Sequence, residues 1–169
     1  MNLTLSPRKV ALETIEPGLP IEAVKNILIP KGIDVLGSNC FNNYKDEIES
    51  IDLSKSEVTV IEEGTFSNMK NLKSIKLPHA YLAIPDEAFS GCTNLAIVNF
   101  SHSVKSIGTR AFYKCESLEA ISIPGGCTLI DKEAFAYCTS LKYICLPVGE
   151  CYLSENIFLG CNPIEIYIT

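Results

Sequence analysis

No run of this sequence approaches the ~20 consecutive apolar residues that a membrane-spanning helix requires, although apolar residues make up 47% of its 169 positions. Between Met1 and Gly18, Arg8, Lys9, Glu13 and Glu16 break up isolated hydrophobes. The continuous apolar stretch of a secretory signal is therefore lacking, and the chain as given is not addressed for export; one whose leader had been removed would look the same. Basic clusters are also missing: 14 Lys and Arg stand against 20 Asp and Glu, a net charge of −6. A surface that tracks phosphates needs gathered Lys and Arg, so no nucleic-acid partner is expected. The acidic excess falls between Asp46 and Glu63, and such a run is read as a solvated face.

Signatures of chemistry are equally sparse. No Ser-His-Asp order or Cys–His nucleophile pair occurs, and Gly125-Gly126 fills a loop after Pro124 rather than opening a G-x-G-x-x-G phosphate cradle. Of the eight cysteines, no two are spaced C-x₂₋₄-C as a zinc knuckle requires. No catalytic residue, metal or cofactor is expected, and the chain is read as not an enzyme.

What is present is a repeat, the feature to look for before any other. Phe66, Phe89, Phe112, Phe135 and Phe158 stand 23 residues apart. Five residues before them lie Ile61, Ile84, Ile107, Ile130 and Leu153; six after lie Leu72, Leu95, Leu118, Leu141 and Ile164. Strand-like pieces begin at Leu3, Ile27, Ile51, Ile75, Val98, Ile121, Ile144 and Tyr167, in three steps of 24 and four of 23. Residues 1–26 form a degenerate first coil, 27–169 carry the repeats, and the whole is one domain. Terminal repeats face water on one side, so degeneracy is expected there.

Within a coil the periodicity changes. Ile75-Lys76-Leu77 and Ile121-Ser122-Ile123 alternate with period two, the mark of a half-buried strand, and Pro78, Pro124 and Pro147 end three such strands. The spacing of Ile84, Ala88 and Phe89 predicts one short helical or 3₁₀ turn, with Asp86 or Asp131 as N-cap and Gly91 or Gly160 closing it in a left-handed conformation. One strand and one turn cannot bury a hydrophobic face alone, whereas stacked coils turn each column into a continuous core ladder. Strands ~4.8 Å apart over seven intervals would span roughly 34 Å in one parallel sheet, with the turns on the opposite, convex side.

Cys92, Cys115, Cys138 and Cys161 share one column, three residues after each phenylalanine, where earlier coils hold Met69 and Tyr44. A position that accepts Met is an apolar packing position, where free Cys behaves as a small hydrophobe. Cys127 and Cys151 lie off that column in neighbouring loops, and both a disulfide and two free thiols fit the spacing. The two histidines, His79 and His102, are 23 apart. They stack on adjacent coils with no third ligand, and are read as exposed loop residues. The sequons Asn2-Leu3-Thr4 and Asn99-Phe100-Ser101 are read as incidental.

The string Ile-x-x-x-Ala-Phe-x-x-Cys-x-x-Leu-x-x-Ile-x-Ile-Pro, clearest over Ile107–Pro124 and Ile130–Pro147, resembles the BspA-like subfamily of leucine-rich repeats. The resemblance implies an α/β solenoid with one parallel sheet on one face and short helical or 3₁₀ turns on the other. The asparagine ladder of the wider family is absent: Ala80, Ser103, Gly126 and Gly149 stand in its place. The resemblance further implies adhesion or protein binding, at a cell surface or after secretion.

A solenoid usually meets its partner on the outward side of the sheet. The outward positions expected to bind include Asp52, Lys76, Ile97, Asn99, Ser122, Tyr143 and Ile166. They run from polar residues at the N-terminal half to apolar ones at the C-terminal half, with Tyr143 as the anchor because aromatics dominate interface hot spots. A protein partner is expected there. The last coil keeps Ile157, Phe158, Ile166 and Ile168, so a homodimer through the C-terminal coils is a further expectation, with a natural continuation of the array as its alternative.

Overall fold

A computed structural model describes residues 10–12, 25–29 and 31–169. The strand expected at Leu3 and the sequon at Asn2 lie outside them. Among the described residues are fourteen strands, numbered β1 to β14 in chain order. Their pairings are all parallel and fall into two series.

The first series contains the strands that period-two alternation foretells. β2 (Asn26–Leu28), β4 (Ser50–Asp52), β6 (Ser74–Lys76) and β8 (Ile97–Asn99) pair in that order. They bring Ile27, Ile51, Ile75 and Val98 into one row. A separate sheet joins β10 (Ala120–Ser122), β12 (Tyr143–Leu146) and β14 (Glu165–Ile168). The expected single sheet is therefore broken between β8 and β10. A second departure lies at the far end: Tyr143 pairs with Glu165 and Ile144 with Ile166. The step there is one residue shorter than the repeat, so Tyr167 stands beside Cys145 and not in the core row with Ile144. A one-residue slip exchanges the faces of a strand.

The second series corrects the expected helical side. β1 (Val10–Leu12), β3 (Ile33–Leu36) and β5 (Val60–Ile61) form one sheet. β7 (Ala83–Ile84), β9 (Ser106–Ile107), β11 (Leu129–Ile130) and β13 (Tyr152–Leu153) form another. Ile84, read from spacing as the start of a helical turn, is instead a strand residue paired with Ile107. No helix occurs among the described residues.

The phenylalanine turn has a different backbone, and its dihedrals explain why no helix forms. Two residues before each phenylalanine, Gly64, Glu87, Arg110, Glu133 and Asn156 have φ of 53° to 64°. Two residues after, Asn68, Gly91, Lys114, Tyr137 and Gly160 have φ of 57° to 76°. Left-handed residues interrupt any right-handed run, and the amides then alternate in direction. Ala88, Ser90 and Cys92 donate to carbonyls three or so residues back, while Glu87, Phe89 and Gly91 donate to Thr109, Ala111 and Tyr113 of the next coil. The turn is thus a third inter-coil ladder. Gly91 and Gly160 do adopt the expected left-handed conformation. Asp86 and Asp131 cap no helix: Asp86 accepts from the Thr109 amide, and Asp131 from the Lys132 amide and the Ser154 hydroxyl.

Between the ladders runs one core. The rings of Phe41, Phe66, Phe89, Phe112 and Phe135 are buried and stack with centroids 5.0 to 5.4 Å apart; Phe158 is partly buried 6.1 Å from Phe135. That spacing matches the strand repeat, so ring stacking and backbone pairing reinforce each other. The thiols of Cys92, Cys115, Cys138 and Cys161 donate to the carbonyls of Phe66, Phe89, Phe112 and Phe135 at 3.0 to 3.3 Å. The cysteine column therefore pairs a buried backbone acceptor as well as filling space.

Candidate functional site

The outer face of the first strand series has two halves of different chemistry. On the N-terminal half, Asn26 accepts from the Ser50 hydroxyl at 2.6 Å. Lys76 bridges Asp52 at 3.1 Å, and Glu49 lies between Lys25 and Lys73 at 3.3 and 2.6 Å. Hydrogen bonds from Lys73 and Lys25 hold the Glu49 carboxyl below its usual range. The Ser54 hydroxyl, with Ser54 backbone and Lys76 assisting, does the same for Asp52 against the opposing effect of partial burial. Asp52 and Lys76, expected as separate contact residues, are thus partners of each other.

The C-terminal half is apolar. Ile97 is 55% exposed and Tyr143 43%, and Ala120 pairs directly with Tyr143; Ile166, 52% exposed, belongs to the core row at the uncovered end of the stack. The shortened step places Ile166 beside Ile144, so the neighbours of Tyr143 across β14 are Glu165 and, 6.3 Å away ring to ring, Tyr167. Asn99 and Ser122 are both exposed but stand on opposite sides of the break between β8 and β10.

That break has an identifiable cause. Leu53, Leu77, Ile123 and Leu146 occupy the inward position that closes each first-series strand, all buried. Phe100 stands in this column and is only partly buried, its ring edge-on to Phe112 at 5.9 Å. Where Pro78, Pro124 and Pro147 follow their strands, this coil has Ser101, whose hydroxyl donates to the His79 carbonyl of the preceding coil, as does that of Ser103. An oversized ring and a loop tied backwards thus mark the coil at which strand pairing lapses on the sheet side. Val98, in the row of the closed Ile51, Ile75 and Ile144, is partly exposed. The second series breaks in the same way between β5 and β7. There Tyr81, in the column of Val58, Val104 and Cys127, is buried, and its oxygen bonds the Ile61 backbone. Both aromatics were visible in the sequence as size outliers in aliphatic or small-residue columns.

His79 and His102 are both exposed. Cys127 and Cys151 are free thiols within hydrogen-bonding reach of each other, and burial pushes the Cys127 thiol up to about 11. On the turn side, Tyr113 meets Tyr137 edge-on at 5.4 Å, with the cations of Arg110 and Lys114 5.5 and 5.4 Å from its ring centre. Nothing in the repeat columns signalled this cluster. Among the described residues no helix is long and apolar enough to cross a membrane.

Comparison with known proteins gives a consistent result. The sequence model described as a BspA type leucine rich repeat region matches residues 21–90 and 59–169, in six copies. A leucine-rich repeat protein from Bacteroides ovatus ATCC 8483 is similar at 33% identity over 80% of this chain and 34% of its own, with a TM-score of 0.71. The leucine rich repeat protein of T. pallidum is similar at 26% identity over 66% of this chain and 54% of its own, with a TM-score of 0.62. A leucine-rich repeat protein from Eubacterium ventriosum ATCC 27560, at 21% identity over 80% of this chain and 38% of its own, shares the fold with a TM-score of 0.61. The chain thus spans about a third to a half of the length of these solved relatives. No curated protein matches it.

Proposed function

Because the chain belongs to the family of BspA-type leucine-rich repeat proteins, we propose that it is a protein-binding module without catalytic activity. Its partner meets the outer face of the first strand series, over Asp52, Lys76, Ile97, Asn99, Ser122 and Tyr143; Ile166, expected on this face, stands instead in the row of Ile144. The observation that carries this reading is the apolar half of that face: Ile97 and Tyr143 expose half their surface or nearly so on strands paired in parallel with a neighbouring coil. Exposed aromatic and aliphatic side chains on a rigid surface are what interface hot spots are made of. The expected role is adhesin-like or host-directed, at a cell surface or after secretion, as the family resemblance implies.

The test is affinity capture with the wild-type chain, Tyr143→Asp and a turn-face control, Tyr137→Asp. A partner lost with Tyr143→Asp and kept with Tyr137→Asp supports the reading. A partner that ignores Tyr143 and is lost with Tyr137→Asp moves the site to the turn side. A second reading, a scaffolding segment of a longer array, is favoured by the share of its relatives that the chain covers. Self-association through the C-terminal coils belongs to this second reading.

A further inference from the structure

The cysteines differ in what their sulfurs face. Cys92, Cys115 and Cys138 are buried, and each thiol donates to a phenylalanine carbonyl of the preceding coil. Cys127 donates to the Leu129 carbonyl of its own coil at 3.4 Å, and its sulfur lies within hydrogen-bonding reach of Cys151 in the next. The backbone fixes this approach. Leu129 pairs with Tyr152, and the Tyr152 amide donates to the Thr128 carbonyl at 2.9 Å. Carried one residue back, that register sets Cys151 beside Thr128 and one residue out of step with Cys127. On chains ~4.8 Å apart, such an offset gives a Cα separation of about 6 Å, the usual one across a disulfide. Access differs between the two, Cys127 being buried and Cys151 partly exposed. A Cβ on Gly126 would meet Lys105 Nζ at 2.6 Å, so the glycine leaves room for an ammonium group beside Cys127.

We propose that Cys127 and Cys151 form a redox modification site, at which a low-molecular-weight disulfide oxidises them to a cross-link that clamps the last coil to the one before it. Cys151, the more accessible thiol, reacts first, as its thiolate. It attacks one sulfur of the oxidant, forming a mixed disulfide and expelling one small thiolate. Cys127, giving up its proton, then attacks the Cys151 sulfur and expels the second. Two protein thiols are thereby oxidised, one small disulfide is reduced to two thiols, and the two protons end on the released thiolates. Burial raises both protein thiols above their ordinary range, with the Lys105 charge among the influences that offset it at Cys127. A weakly acidic thiol is a poor leaving group, so the cross-link resists reduction once it has formed. The clamp acts at an open end of the stack. β13 is an edge strand, and Tyr152 and Leu153 are 69% and 38% exposed, so this coil opens more readily than coils paired on both sides. Cys151 lies in the connection from β12, which carries Tyr143, to β13, so closure also steadies the coil that presents that side chain.

The test uses the full chain, reduced and then incubated under native conditions with oxidised glutathione, followed by peptide mapping without reductant. The wild type should yield a Cys127–Cys151 link. Cys127→Ser should stall with glutathione on Cys151, and Cys151→Ser should show neither link nor adduct at this site. Mapping of the wild type decides the outcome even where a variant folds poorly. The Tyr152 and Ser154 amides bond the Thr128 and Ile130 carbonyls, and their hydrogen exchange should slow ~10-fold or more on oxidation, as the closed loop disfavours opening. Two free thiols after prolonged incubation overturn the proposal, and so does glutathione held on Cys151 of the wild type without a link to Cys127. A Cys127–Cys151 link no more frequent than links among Cys92, Cys115 and Cys138 overturns it as well. A link that leaves both amides exchanging as before overturns the clamp.

Discussion

The rings of Phe89 and Phe112 lie face to face, centroids 5.1 Å apart and planes within 11° of parallel. They occupy consecutive coils, so each ring covers its neighbour as well as its own coil. Phe112→Ala removes the middle of this stack, strips Phe100 of its edge contact and opens a cavity between two coils with no room to collapse. A loss of about 3–5 kcal/mol in urea unfolding is expected. A loss below ~1 kcal/mol would mean the column does not hold the coils together.

The buried thiols make stability pH-dependent. Burial pushes Cys92 up to about 12 and raises Cys115 and Cys138 as well, while an unfolded thiol ionises near 9.0. Above that value the unfolded chain gives up protons that the native state keeps. The contribution is fully present below pH 9 and is lost as pH rises, by about 1.4 kcal/mol per thiol per pH unit. Urea midpoints at pH 8 and pH 10 should therefore differ, and Cys115→Ala should reduce the difference whatever its effect at pH 8. An unchanged slope would remove the thiols from the account. In native labelling, Cys92, Cys115 and Cys138 should react far more slowly than Cys151, which is partly exposed.

How much of this was legible in the sequence depends on which atoms carry each feature. The phenylalanine, isoleucine and cysteine columns are side-chain features, and a period of 23 displayed them directly. The second strand series was not legible, because pieces such as Ala83–Ile84 are too short to show alternation. The left-handed columns are backbone features: glycine marks Gly64, Gly91 and Gly160, but Glu87, Arg110 and Tyr137 take the same conformation unannounced. Inter-coil amide bonds hold them there. From Asp52 to Tyr143 the strand registers follow the repeat within each sheet. The shortened step at β14 does have a counterpart in the hydrophobic pattern: a step of 22 sets Ile166 and Ile168 beside Ile144 and Leu146, whereas the repeat's 23 sets Tyr167 and Thr169 there.

That backbone demand yields a substitution test. Glu87 holds φ of 53° in the column where the preceding coil has Gly64, and it is exposed. A left-handed L-residue costs roughly 1–2 kcal/mol, while glycine gives back roughly 0.5–1 through the freedom it gains unfolded. Glu87→Gly should accordingly stabilise the chain by about 0.5–1 kcal/mol. Gly91→Ala should destabilise it, because φ is 76° and the added carbon meets Asn68 Oδ1 at 2.5 Å. A destabilising Glu87→Gly in thermal or urea unfolding would contradict the assigned turn geometry.

Self-association, if it uses the last coil, is constrained by the polarity of the turn ladder. Every bond of that ladder between Gly64 and Tyr137 runs from an amide of the earlier coil to a carbonyl of the later one. In the last coil the amides of Asn156, Phe158 and Gly160 accordingly point outward as donors, with no acceptor among the described residues. A two-fold pairing of two copies would set donors against donors on that side. Strand β14 is different: its edge alternates donors and acceptors, and Ile166 and Ile168 are 52% and 63% exposed. An open apolar edge is a template for strand pairing. The 169-residue chain is therefore expected to associate through β14 and away from the turn side. Sedimentation across a concentration series should show association that Ile166→Lys weakens and Leu159→Lys, on the turn side, leaves in place. A strict monomer at high concentration, or equal sensitivity to both substitutions, would show that β14 is not the associating edge.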